Sequence, residues 1–143
     1  MAVKASKLGP GVFTLTSKDA APKATDFSGQ CRKVIWEPDY KTEDPIEVLS
    51  GDEYAEPGKL NSKISGEMLQ DYGAASLSKF CLDNAGKVFE FEFVPSKAGK
   101  LKIAGELQVT PIGVGGDVGK TNAISFGFPV IGKPAFTDDY VPA

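Results

Sequence analysis

Gly119, Lys120 and Thr121 close a glycine-rich stretch that begins at Gly113, and glycine, lysine and a hydroxyl are the tools of a phosphate-binding loop. The pattern G-x-x-x-x-G-K-[ST] asks for glycine where Val114 stands, and for a helix to follow. A strand-like run from Ile124 to Val130 follows instead, so the stretch reads as a flexible connection between strands. The chain has no histidine, which removes the usual general base and the usual transition-metal ligand. Ser-His-Asp and Cys-His arrangements are thereby excluded. No spacing singles out a Ser-Lys or carboxylate pair, so the chain reads as a non-enzyme with no catalytic, cofactor or metal residue. Its acidic run lacks the D-x-[DN]-x-[DN]-G spacing of a calcium loop, and its prolines oppose a tight cage. Cys31 and Cys81 are the two cysteines, and they read as free, buried thiols.

With chemistry removed, what remains is architecture. A chain of 143 residues is the size of one domain, read as residues 1 to 143, and 41% hydrophobic with 24% charged residues marks it as globular rather than disordered. Sixteen glycines and ten prolines predict many turns and short strands. A net charge of −3 argues against a duplex-binding protein, which would carry a basic stripe. Met1 to Lys4 opens without the apolar run of a signal peptide, and no stretch approaches the roughly 20 apolar residues of a membrane span. Synthesis in a cytoplasm, without a membrane partner, is the expectation.

The strongest local pattern lies between Lys87 and Pro111. Phe89, Phe91 and Phe93 alternate with Glu90 and Glu92, and after Pro95 to Gly99 the alternation resumes with Leu101, Ile103, Leu107 and Val109. The predicted hairpin sets Phe93 opposite Leu101, Phe91 opposite Ile103 and Glu92 opposite Lys102. Glu90, Glu92, Lys100 and Lys102 then share one polar sheet face. Further strands are predicted at Val12 to Thr16, Gln30 to Glu37, Lys59 to Gly66 and Ile124 to Val130, where Pro129 suggests an edge position or a bulge. Gly132 to Pro134 reads as a turn into a short acidic tail. A helix is predicted over about residues 76–85, capped by Ser76 and ended by Gly86. The fold class is mainly β, a β-sandwich or partly rolled barrel with one short helix.

Two segments stand apart in charge. Residues 1–24 carry Lys4, Lys7, Lys18 and Lys23 against Asp19 and read as an extended N-terminal arm around the short strand. Residues 37–58 carry eight acids against Lys41, with three prolines, and read as a long acidic loop. Glu43, Asp44 and Glu47 supply its charge, while Ile46, Val48 and Leu49 offer a brief strand or an apolar contact for a partner.

From residue 27 onward the order of pieces resembles the major tail tube proteins of long-tailed (siphovirus-type) bacteriophages. A strand reaches Trp36, and a long loop follows. Then come G-E-M-L-Q-D (Gly66 to Asp71), L-S-K-F-C-L-D-N-A-G (Leu77 to Gly86) and V-F-E-F-E-F-V-P (Val88 to Pro95). G-E-L-Q-V-T-P (Gly105 to Pro111), a glycine-rich loop and F-P-V-I-G-K-P (Phe128 to Pro134) complete it. The resemblance implies a tail-tube-like virion subunit, made in the host cytoplasm, that forms hexameric rings stacked into a hollow tube. It further implies that the genome passes through without specific binding, that neighbouring sheets join into an inner barrel, and that loops and arms bridge rings and meet other tail proteins. The charges fit such use, because a basic arm and an acidic loop on one chain are complementary between identical copies. On this reading Lys4, Lys7, Lys18, Lys23, Glu43, Asp44, Ile46, Glu47, Val48 and Leu49 are the inter-subunit candidates, and Glu90, Glu92, Lys100 and Lys102 the lumen candidates. Two other classes share the composition: a capsid decoration or virion adhesin domain, and a carbohydrate-binding module using Trp36, Tyr40 and Tyr54.

Overall fold

Period-two alternation helps drive nearly half of this chain into strands, and the computed structural model, which describes residues 3–19, 21–74 and 76–141, joins seven of them in one antiparallel sheet. In chain order the elements are β1 (Val12–Ser17), β2 (Ala24–Asp26), β3 (Cys31–Lys41), β4 (Ile46–Glu47), β5 (Glu53–Tyr54) and β6 (Lys59–Leu69). Then come α1 (Leu77–Asp83), β7 (Val88–Val94), β8 (Lys102–Gln108) and β9 (Ala123–Thr137). The large sheet runs β2-β1-β7-β8-β9-β6-β3, and β4 and β5 form a separate two-stranded ribbon.

The sheet rolls upon itself. β1 and β9 stand three strand spacings apart, about 14 Å in a flat sheet, yet Phe13 of β1 stacks on Phe126 of β9 with ring centroids 6.1 Å apart. Phe27, just after β2, meets Phe128 of β9 edge-on at 6.2 Å. The concave face is the core: Phe13, Leu15, Phe89, Phe91, Phe93, Leu107, Phe128 and Ile64 are buried there. Aromatic pairs of this kind add about 0.5–1.5 kcal/mol each beyond area burial. The roll stops short of a closed barrel, because β2 and β3 remain as edges.

Helix α1 plugs one end of the roll. Ser76 caps it by accepting from the Lys79 N–H at 3.3 Å, and Gly86 follows with φ of +84°. Seven residues are too few to hold a helix alone. Phe80, edge-on to Phe27 and Phe89 at 6.0 and 5.5 Å, and the buried Cys81 anchor it.

Several expectations need correction. The β7–β8 hairpin is shifted by two residues from the predicted register: Phe93 faces Ile103, Phe91 faces Gly105 and Glu92 faces Ala104. A two-residue shift preserves both faces, so alternation does not distinguish the registers. Volume does. A Cβ on Gly105 would lie 3.2 Å from the Phe91 ring, so the bare glycine makes the room that Phe91 fills. Glu92 and Lys102 still meet, diagonally, at 3.8 Å. β9 is an interior strand rather than an edge, and Pro129 pairs with Lys63 of β6 just past the last β8 pair, Leu107 with Val130. Gly132 to Pro134 do not turn the chain away; they sit opposite Gly105 in a bulge, and β9 runs on to Thr137. Within residues 1–24, Val12–Ser17 is a sheet strand with Phe13 and Leu15 in the core. The piece before it meets the body at Gly9 and Pro10, and the piece after it is tied to β1 by hydrogen bonds between Ser17 and Lys23. The acidic segment begins inside β3, which continues through Glu37 and Asp39 to Lys41.

Candidate assembly interface

The strand registers carry position across the sheet and give the molecule two ends. Lys41 of β3 pairs with Lys59 of β6, Ser62 of β6 with Val130 of β9, Lys102 of β8 with Thr137, and Phe93 of β7 with Ile103. The β4–β5 ribbon therefore projects from the same end as the turn between β7 and β8. At the opposite end lie Leu69, Gln108, Val88 and Ser17, together with α1.

The ribbon is wholly solvated. Residues 41–57 are all exposed, Ile46 at 52% and Leu49 fully, and Glu43, Asp44 and Glu47 line the approach to it. Between residues 42 and 58 stand six acids and no base. The Val48 carbonyl accepts from the Gly51 N–H at 2.9 Å to make its tip, so the fully exposed Leu49 sits in a tight turn. Ile46, Val48 and Leu49 are thus displayed together rather than folded away.

The four arm lysines separate. Gly9 donates to the Pro95 carbonyl at 2.7 Å and Lys97 donates to that of Pro10 at 2.7 Å, so the segment bearing Lys4 and Lys7 joins the body at the ribbon end. Lys18 and Lys23 follow and flank the turn after β1, at the other end. Lys18 Nζ lies 2.7 Å from Glu106. That hydrogen bond holds its pKa above the ordinary lysine value despite partial desolvation, with the charges of Glu106 and Glu90 adding to it. Glu90 and Glu106 face one another directly across β7 and β8, and like charges so placed repel. Lys18 relieves them, a role that the alternation of β8 alone does not reveal because the lysine comes from a distant segment.

Glu90, Glu92 and Lys102 do share the convex polar face, joined there by Glu106 and Lys18. Lys100 does not: it precedes β8, in the exposed turn. The same face continues with Lys63 to Glu37 at 3.6 Å and Arg32 to Glu67 at 2.7 Å. It is a mixed-charge surface, not a basic one.

β3 presents an edge of eleven residues paired only on its β6 side. Such an edge is a template for another strand. Gly66 lets the partner strand lie close, since a Cβ there would strike the Lys33 carbonyl oxygen. The sugar-platform candidates are dispersed: Trp36 sits edge-on to Phe136 at 5.0 Å, and the Tyr40 hydroxyl accepts from Gly58 N–H at 3.0 Å. The glycine-rich loop is held by the Asn122 side chain, which binds Asp117 and Lys120, and leads straight into β9. A strand, and not the helix that the phosphate-loop pattern requires, follows it. Cys31 and Cys81 are free thiols; Cys81 is buried, and Cys31 is half-buried rather than fully enclosed as expected.

No protein-family model and no curated protein matches the chain. Solved structures that share its fold include two from gene transfer agent particles. A chain from the tail of an empty gene transfer agent particle, refined helically with C6 symmetry, superposes with a TM-score of 0.63 at 16% identity. The match spans 88% of this chain and 94% of that one. A chain from the virion of a native gene transfer agent particle superposes with a TM-score of 0.56 at 18% identity, over 87% and 95%.

Proposed function

We propose that this protein is a structural virion subunit that polymerises into stacked, six-membered rings forming a hollow tail tube through which the genome passes. The observation that carries the reading is the likeness in fold to a chain of a C6 helical tail, which spans 88% of this chain and 94% of that one. Physical features of the molecule support it. The eleven-residue free edge of β3 and the short edge strand β2 are what a ring of sheets needs at each joint. The mixed-charge convex face and the overall charge of −3 suit a wall along which DNA slides, where a basic lumen would hold it. The role is non-enzymatic, its partners are copies of itself and other tail proteins, and its place is the virion tail.

Purified protein at rising concentration, followed by light scattering and negative-stain electron microscopy, tests this. Rings and long hollow tubes are the expected products. A monomer at every salt and protein concentration overturns the reading.

A further inference from the structure

The end of the molecule opposite the ribbon carries a groove of about 540 Å³ between the turn after β1, the end of α1 and the start of β7. Its apolar lining comes from Phe80, Val88 and Phe89, and its rim carries Lys18, Lys23 and Lys87. Lys18 is engaged by Glu106, and Asp19 also lies on the rim. Lys23 and Lys87 are exposed and form no ion pair among the described residues. The opposite end of the same chain displays an apolar tip, Val48 and Leu49, flanked by six acids with no base among them.

We infer that this groove is the receptor for the β4–β5 ribbon of a second copy of the chain, the tip entering between Phe80 and Val88 while Glu47 and Glu53 meet Lys23 and Lys87. Both surfaces are unpaired at home, and they match in chemistry: apolar centre to apolar centre, acidic flank to basic rim. They also match in placement. Because ribbon and groove sit at opposite ends of one sheet, joining them is heterologous and head-to-tail, and each docking leaves a free ribbon and a free groove for the next copy. Such a contact stacks copies along an axis, whereas the lateral edges β2 and β3 remain for closure within a ring. The separation of lysines decides the partner: Lys4 and Lys7 belong to the ribbon end and Lys18 is held by Glu106, so Lys23 and Lys87 are the cations positioned for an axial neighbour. This assignment rests on the reading of the chain as a self-assembling tube subunit.

Charge reversal separates the two claims. Lys23→Glu with Lys87→Glu should raise the concentration needed for tube growth about tenfold or more, with an unchanged thermal melt by circular dichroism. Glu47→Lys with Glu53→Lys should do the same from the other side. All four substitutions in one chain should restore growth towards the wild-type threshold, and that rescue is the expected signature. If the reversed lysines fail to fold, Lys23→Gln with Lys87→Gln removes the attraction without new repulsion and should still raise the threshold. Wild-type growth in the lysine variants, or loss of growth in both pairs without rescue in the quadruple variant, overturns the groove assignment while leaving tube formation intact. A wild-type chain that never assembles overturns both.

Discussion

The rolled sheet and the β4–β5 ribbon are built from similar residue types and treat them in opposite ways. In the sheet, Phe128, Leu107 and Ile64 are fully enclosed by their own chain. In the ribbon, Ile46, Val48, Leu49 and Tyr54 stand in water, among acids that repel one another. An apolar side chain left outside contributes nothing to the monomer and keeps its burial free energy, about 1.5–3 kcal/mol for a large one, for a neighbour. The difference teaches that burial within the chain is concentrated in the sheet; on the proposed reading the ribbon serves assembly, and substitutions should divide accordingly.

The largest effect is expected in the sheet. Phe128→Ala removes a ring that meets Phe27 and Phe126, and should cost about 3–5 kcal/mol, measured as a lower urea midpoint. For a domain whose whole stability is about 5–15 kcal/mol, that approaches unfolding. A loss under about 1 kcal/mol would show that the roll is not the core. Next comes Gly105→Val, which should cost about 1–3 kcal/mol by forcing Phe91 and Pro134 apart. If it is neutral, volume does not set the β7–β8 register.

Alkaline pH supplies an effect of intermediate size. Burial pushes both thiols up to about 12, with the Asp26 charge adding at Cys31 and the neighbouring Cys31 adding at Cys81. Unfolded thiols ionise near 9.0, so between there and about 12 the unfolded chain binds fewer protons than the folded one. Stability should therefore hold below pH 9.0 and fall as pH rises through that window. Equilibrium unfolding of Cys31→Ala should show a shallower fall than the parent; an identical slope would locate the alkaline sensitivity elsewhere.

The smallest change in monomer stability is expected in the ribbon. Leu49→Ser should change the unfolding free energy measured in urea by no more than about 0.5 kcal/mol, yet raise the threshold for assembly seen by light scattering. A large loss of monomer stability would mean that the tip packs on its own body, and the contrast between the regions would collapse.

By itself the sequence determined the strongly alternating strands, because alternation such as Phe89, Phe91 and Phe93 against Glu90 and Glu92 has one period and one pair of faces. It also determined the helix, through Ser76 at its start and Gly86 beyond its end, and the acidic character of residues 37–58. These are local properties, fixed by side-chain spacing and backbone preference along a few neighbours. Tertiary structure decided what spacing leaves degenerate. The two-residue shift of the hairpin keeps both faces, and only the fit of Phe91 over Gly105 resolves it. Pro129 looks like an edge residue until the strand order places β9 between β8 and β6. Lys18 has no marked partner in the sequence, and the register of β1 on β7 brings it to Glu106, 88 residues away. The same registers send Lys4 and Lys7 to one end and Lys23 to the other, because which charges share a surface depends on strand pairing rather than on distance along the chain.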